Sequence, residues 1–258
     1  LVMRKVVTRF APSPTGYLHI GGVRTALFNY IFAKKHAGEF LLRVEDTDQE
    51  RSKGEYTDAI IEGLRWLGLT YDGNPTHQSE RSVLYQNETA RLLANGKAYR
   101  CSCSPERLDA LRKEQESKGL KPMYDGLCRD KGITDEDTVV RLKTPTEGST
   151  IVDDAVYGKI EFLNKELDDL IIQRSNKTPT YHLCNVVDDN AQGVTHIIRG
   201  EDHISNTAFH IQIFEALNST IPTFGHHPFL TDENGKGFGK RLGSLSIEEL
   251  RNTGFESL

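Results

Sequence analysis

No stretch of this chain approaches the roughly 20 consecutive apolar residues that a membrane-spanning helix needs, so no such helix is expected. Cysteine is scarce. Four occur in 258 residues, and three of them fall at 101, 103 and 128, which is not the even spread of a disulfide scaffold. Positive charge is not in excess: 32 Lys and Arg stand against 37 Asp and Glu, a formal net charge of −5. That balance argues against a general affinity for nucleic acid, though not against a local patch. There is no internal repeat, no low-complexity tract and no Walker A loop. The start, Leu1-Val2-Met3-Arg4, lacks the apolar core of a signal peptide, so the expected location is the cytoplasm. With 37% hydrophobic and 27% charged residues, the chain reads as an ordinary globular protein with one large or two smaller domains.

What the chain does contain is concentrated near its start, in Arg9-Phe10-Ala11-Pro12-Ser13-Pro14-Thr15-Gly16-Tyr17-Leu18-His19-Ile20-Gly21-Gly22. The preceding Val6-Val7-Thr8-Arg9-Phe10 is β-branched and aromatic and predicts a strand. Two prolines and a glycine force a turn. Val23, Ala26, Leu27, Tyr30 and Ile31 then recur at helical spacing. His19 and two glycines therefore stand where a strand feeds a helix N-terminus, a place suited to an anion. The simpler alternative is a tight turn with a capping histidine.

The pattern predicts strand 5–11, helix 22–36 ending at a left-handed Gly38, strand 39–45 and helix 54–67. This order implies a parallel sheet with ligands at the strands' carboxyl ends. Beyond about residue 74 it becomes irregular, with a charged helix near 105–118 and short strands at 138–142 and 159–162. It resumes with strand 195–199 and helix 206–217. The expected fold is α/β, a Rossmann-like parallel sheet interrupted by an inserted subdomain. The segment 97–131 carries nine basic against six acidic residues. It is either a basic patch or a solvated helix face with paired charges.

Cys101-x-Cys103 and Cys128-x-Asp130 offer three thiolates and a carboxylate, an acceptable set for tetrahedral zinc. Three reduced, metal-free thiols are the alternative. Cys184 reads as a core residue. Glu45-Asp46-Thr47-Asp48 could ligate a metal or do acid–base work; more simply, Asp46 and Asp48 cap the next helix, which leaves Glu45 for a ligand. Gly235-Lys236-Gly237-Phe238-Gly239-Lys240-Arg241 suits either a mobile phosphate loop or a flexible basic hairpin.

Together these segments resemble the catalytic portion of a bacterial glutamyl-tRNA synthetase, a class I aminoacyl-tRNA synthetase. The stretch 9–22 is similar to the family's HIGH segment, with Gly22 in place of the second histidine. Arg43 to Asp48, Tyr181-His182-Leu183-Cys184-Asn185-Val186-Val187-Asp188-Asp189, Ile198-Arg199-Gly200-Glu201-Asp202-His203 and the cysteine knuckle also match. The resemblance implies that glutamate and ATP form glutamyl-adenylate and that the glutamyl group then passes to the 3′ end of tRNA(Glu), with tRNA(Gln) left open. It places Arg9, Ala11, Ser13, Glu45, Tyr181, Asn185 and Arg199 around glutamate, with Arg9 on the side-chain carboxylate and Glu45 on the ammonium. It places Thr15, His19, Gly21, Gly22, Asp202, Leu230, Phe238 and Lys240 around ATP, which arrives with Mg2+. His19 and Lys240 are catalytic in an electrostatic sense. One structural Zn2+ would sit on Cys101, Cys103, Cys128 and Asp130.

The implied organisation is a first catalytic half over 1–73, an acceptor-stem-binding insertion over 74–187, a second half over 188–230, and a signature loop with the start of a helical region over 231–258. A monomer is expected. Two features depart from the family. The loop usually reads close to Lys-x-Ser-Lys-Arg, and here the first lysine and the serine are glycines. The family also continues into a helical anticodon-binding region beyond the point where this chain stops. Two alternatives stay open: a glutamyl-queuosine tRNA(Asp) synthetase, and a tRNA-binding module without turnover.

Overall fold

The computed structural model describes residues 4–237 and 246–256. Strand β1 (Val7–Phe10) is buried along its whole length, as a strand covered on both faces should be. Helix α1 (Ile20–Lys35) follows the proline-rich turn, and β2 (Glu39–Val44) runs parallel to β1, pairing Arg9 with Leu41. The left-handed residue after α1 is Ala37, at φ 50°, not Gly38. Gly38 is needed for another reason: a Cβ there would lie 2.2 Å from the Val6 carbonyl oxygen, too close for any side chain.

Next come α2 (Gly54–Trp66), β3 (Thr76–His77), a 3-10 turn at Gln78–Glu80 and α3 (Ser82–Ala94). A small antiparallel sheet is then built from β4 (Ala98–Cys101), β5 (Val139–Leu142) and, after two intervening strands, β8 (Ile171–Gln173), with α4 (Pro105–Ser117) beside it. The intervening strands β6 (Ser149–Asp154) and β7 (Gly158–Leu163) form a hairpin. The chain closes with α5 (Tyr181–Ala191), β9 (His196–Gly200), α6 (Ile204–Ala216), β10 (Thr223–His227) and α7 (Ile247–Asn252).

Two sheets carry the architecture. One has order β1-β2-β3 and is parallel throughout. The other has order β7-β6-β10-β9, parallel from β9 to β6. They meet where the Thr195 N–H donates to the Val7 carbonyl at 2.9 Å, so β1 and β9 lie side by side. The units β1-α1-β2 and β9-α6-β10 run outward from that seam in opposite directions, and open α/β sheets bind ligands where strand order reverses in this way. One core packs Phe10, Leu18, Phe40, Leu42, Ile60 and Leu64 between α1, β2 and α2. A larger one gathers Ile172, Leu183, Val186, Ile197, Phe214 and Phe224 under α5 and α6.

The pairing crosses the expected borders. β3 belongs to the first sheet and β6 pairs with β10, so segments within 74–187 build the parallel sheets themselves. Segment 97–131 is largely a solvated face: α4 buries nothing, and its charges pair as Asp109 with Arg112 and Lys113 and Glu114 with Lys118. Asp46 and Asp48 do not cap α2, whose N-cap is Lys53. Asp46 instead accepts from the Ser79 backbone and hydroxyl, both at 2.8 Å, and Asp48 accepts from the Arg51 N–H.

Candidate active site

At the seam, Arg9 is the penultimate residue of β1, β2 leads into Glu45, and Arg199 is the penultimate residue of β9. Helix α5 crosses beneath with Tyr181, Asn185, Asp188 and Asp189 on one face, as their spacing of four, seven and eight dictates. Arg9 is buried, and its Nε and Nη2 donate to Asp189 at 2.8 and 3.2 Å. Arg43, fully buried, donates to the same Asp189 Oδ1 at 2.8 Å and lies 3.6 Å from Glu45. Asp188 accepts from Gln78, Arg81 and Tyr85. Burial works against the Asp189 carboxylate, yet Arg43 and Arg9 hold its pKa below the ordinary value. Burial raises the Glu45 pKa, with Arg43 and Arg9 opposing.

Glu45 Oε1 accepts from Asn185 Nδ2 at 3.1 Å, while the buried Asn185 Oδ1 has no partner among the described residues. Tyr181 Oη lies 3.3 Å from His203 Nδ1, and burial pushes the phenol up to about 12. Arg199 is buried, and no carboxylate among the described residues lies within salt-bridge distance of it. Its neighbours are Thr207, His210 and His226. Burial lowers its pKa from the usual arginine value. Arg9, Glu45, Tyr181, Asn185 and Arg199 thus share one buried region. Of its two arginines toward a carboxylate ligand, Arg9 already has a carboxylate partner and Arg199 has none among the described residues.

Ala11 and Ser13 lie in the turn after β1, partly buried and exposed respectively. The turn is pinned where the Glu45 N–H donates to the Pro12 carbonyl at 2.9 Å and the Thr15 N–H to the Ser13 carbonyl. His19 is the N-cap of α1, its Nδ1 accepting from the Gly21 N–H at 3.1 Å. Gly21 leaves room for that ring, since a Cβ would meet it at 2.9 Å. The cap fixes Nδ1 as acceptor and leaves Nε2–H as a donor at an exposed helix N-terminus. Gly22 packs over Leu18. Asp202 is exposed in the 3-10 turn after β9; a Cβ on Gly200 would stand 2.5 Å from its carboxylate. Leu230 follows a segment that Arg24 of α1 holds by donating to the Pro228 carbonyl. Phe238 and Lys240 lie outside the described residues. A cleft of about 370 Å³ bordered by Pro14, Asp46, Lys53 and His77 is lined by none of the expected ligand residues.

The cysteine knuckle is a separate feature. Cys101, at the end of β4, Cys103 and Cys128 bring their sulfurs within 4.8 Å of one another, with Cys103 and Cys128 3.6 Å apart. Zinc–sulfur bonds of about 2.3 Å in a tetrahedron require sulfurs roughly 3.7 Å apart, so the three thiols fit zinc. Asp130 does not join them. It is 82% exposed and accepts from Lys143, because the turn after Cys128 carries it outward. Tyr124 Oη takes the facing position, 3.3 Å from Cys101 Sγ and 3.5 Å from Cys103 Sγ, and accepts from the Cys128 N–H.

The sequence reading named neither Tyr124 nor any role for Asp188, Asp189 or the histidines near Arg199. The helical spacing from Tyr181 to Asp189 was the available signal for the aspartates. Nothing local marks Tyr124.

The profile of the family described as tRNA synthetases class I (E and Q), catalytic domain, matches residues 5–258. Over 253 residues the chain is 51% identical to the glutamate–tRNA ligase of Oleidesulfovibrio alaskensis, covering 98% of this chain and 54% of the relative. It is 50% identical to glutamate–tRNA ligase 1 of Alkalilimnicola ehrlichii, with the same coverage. The crystal structure of the glutamate tRNA ligase of Elizabethkingia meningosepticum, in complex with its amino acid, superposes with a TM-score of 0.84 at 35% identity, covering 98% of this chain and 54% of that one. The chain therefore spans about half the length of the relatives it matches. A parallel sheet reversing at β1 and β9, a His19-capped helix at that reversal and a family match along nearly the whole length agree, and the chain belongs to the class I tRNA synthetases (E and Q), matching their catalytic domain.

Proposed function

We propose that this chain is the catalytic portion of a glutamate–tRNA ligase. It activates L-glutamate with ATP to glutamyl-adenylate, releasing pyrophosphate, and passes the glutamyl group to the 3′ end of tRNA(Glu), releasing AMP; tRNA(Gln) is a second candidate acceptor. The observation that carries this reading is Arg199, a buried guanidinium with no described carboxylate beside it, within the region that also holds Glu45 and Asn185. A buried cation without a counter-charge is costly, and a substrate carboxylate removes that cost.

In this mechanism Arg9, held rigid by Asp189, receives the side-chain carboxylate, and Arg199 faces the substrate's carboxylates beside it. Glu45 and the unpartnered Asn185 Oδ1 accept from the ammonium, and Tyr181 stays protonated as a donor. Ala11 and Ser13 border the amino acid, while Thr15, Gly21 and Gly22 admit ATP to the α1 N-terminus. His19 Nε2–H donates to phosphate, Asp202 accepts from the ribose hydroxyls, and Leu230 and Phe238 border the adenine. Lys240 stabilises charge on the α-phosphate and pyrophosphate. Mg2+ travels with ATP. The rate gain is alignment and electrostatics, with no covalent enzyme intermediate.

Zinc on Cys101, Cys103 and Cys128, with Tyr124 Oη in the fourth position, would supply a structural cross-link in the inserted, acceptor-binding part of the chain. A cytoplasmic monomer fits this function, and no described helix is long and apolar enough to cross a membrane. The test is charging of tRNA(Glu) and tRNA(Asp) with tRNA-dependent pyrophosphate exchange. Glutamate appearing on tRNA(Asp) alone would establish the queuosine-modifying alternative, and binding without exchange the inactive module.

A further inference from the structure

Arg9 and Arg43 share the carboxylate of Asp189. Arg199 is held in a different way. Its Nε donates to His226 Nε2 at 3.3 Å, its Nη1 and Nη2 approach His210 Nδ1 at 3.3 Å, and its Nη2 donates to Thr207 Oγ1 at 2.7 Å. Arginine has only donors, so both imidazole nitrogens that face it must be unprotonated acceptors. That assigns the remaining protons. His226 carries its proton on Nδ1 and donates it to Asp154. His210 carries its proton on Nε2 and donates it to His182 Nδ1, 3.0 Å away. His210 and His226 are both fully buried.

Asp154 is the nearest carboxylate on this chain of contacts, and it stands a full imidazole away from the guanidinium. It is further occupied by the backbone N–H groups of Val156, Tyr157 and His226. Three neutral acceptors therefore orient Arg199 without cancelling its charge.

We infer that Thr207, His210 and His226 are positioning residues that hold Arg199 by neutral acceptors so that its charge stays available to the substrate carboxylate. This rests on the reading of the site as a glutamate site, which it deepens by naming what sets the affinity. Burial and the neighbouring Arg199 keep His210 and His182 from protonating, His182 falling to about 4, which agrees with the tautomers read from geometry. A carboxylate at position 210 would reverse the arrangement: it would neutralise Arg199 as Asp189 neutralises Arg9.

The experiment compares His210→Asp with His210→Asn in the protein at its natural length. Asn offers Arg199 a neutral oxygen near the place of Nδ1; Asp offers the same shape with a charge. L-glutamate affinity is measured by calorimetry, and the KM values for glutamate and ATP by tRNA-dependent pyrophosphate exchange. His210→Asp is expected to weaken glutamate binding by roughly 10- to 100-fold with the ATP KM little changed and no loss of thermal stability relative to His210→Asn. His210→Asn is expected to keep most of the affinity. Thr207→Asp against Thr207→Asn repeats the comparison should the 210 variants fold poorly. Equal losses in the Asp and Asn variants, or no loss in either, would overturn the role assigned to neutrality. Wild-type protein that binds no glutamate would overturn the glutamate reading itself, and this assignment with it.

Discussion

Arg9 and Asp189, 180 positions apart in the chain, form a two-bonded pair at 2.8 and 3.2 Å inside the protein. The pair ties the carboxyl end of β1 to α5, and Arg43 of β2 joins the same carboxylate. Three elements that converge on the site are thereby locked together by one charge cluster, whereas Arg199, on the other side of the seam, is left for a ligand.

Arg9→Ala and Arg199→Ala should therefore fail differently. Loss of Arg9 leaves Asp189 with Arg43 alone and should cost about 3 kcal/mol of stability, seen as a lower urea midpoint, besides raising the glutamate KM far more than the ATP KM. Loss of Arg199 should cost less stability than loss of Arg9, because it orphans neutral acceptors on Thr207, His210 and His226 and not a buried carboxylate, yet weaken glutamate binding by more than Arg9→Ala does. The reverse ranking of stabilities would contradict the assignment.

His19 does two jobs that one substitution separates. Asparagine is among the best N-caps, so His19→Asn should keep the thermal midpoint while losing the Nε2 donor at the helix start. The adenylation rate should fall by about 100-fold. An unchanged rate would reduce His19 to a cap.

Metal analysis of protein purified without chelator should find about one zinc per chain. Cys128→Ser should abolish it and Asp130→Ala should not, because Asp130 faces solvent. Loss of zinc on Asp130→Ala would restore the carboxylate as a ligand.

Stability should fall on mild acidification. Burial holds His182 and His203 at about 4, against about 6.5 in the unfolded chain. Between those values the unfolded state binds more protons, so stability rises with pH there. It is fully present above about 6.5 and is lost as pH drops toward 4, each histidine contributing up to about 1.4 kcal/mol per pH unit. Buried His210 and His226 act in the same direction. A urea midpoint that stays flat from pH 7 to 4.5 would refute this.

The strands and helices with a clean period are legible in the sequence. β1, α1, β2, α2, α4, β9 and α6 all lie within a few residues of their expected places. Helix α5 is absent from the predicted elements: its polar side chains Asn185, Asp188 and Asp189 do share one face, but that face is turned inward, every residue from Leu183 to Asp189 is buried, and the usual solvent-facing polar stripe is missing. β6 and β10 were also missed. Their pairing is a contact between residues 154 and 224, which no local pattern encodes.

The sequence by itself determined the chemistry on offer: the turn that delivers His19 to a helix start, the carboxylate of Glu45, two arginines suited to carboxylates and three thiols in two close groups. Local backbone preference and residue type suffice for these. Tertiary structure alone decided how those groups divide the work. It gave Asp189 to Arg9 and Arg43, surrounded Arg199 with neutral histidines, turned Asp130 to solvent and set Tyr124 against the sulfurs. Those outcomes depend on desolvation and on distances between segments far apart in the chain, and a charge's availability to a ligand is settled by which neighbours folding buries beside it.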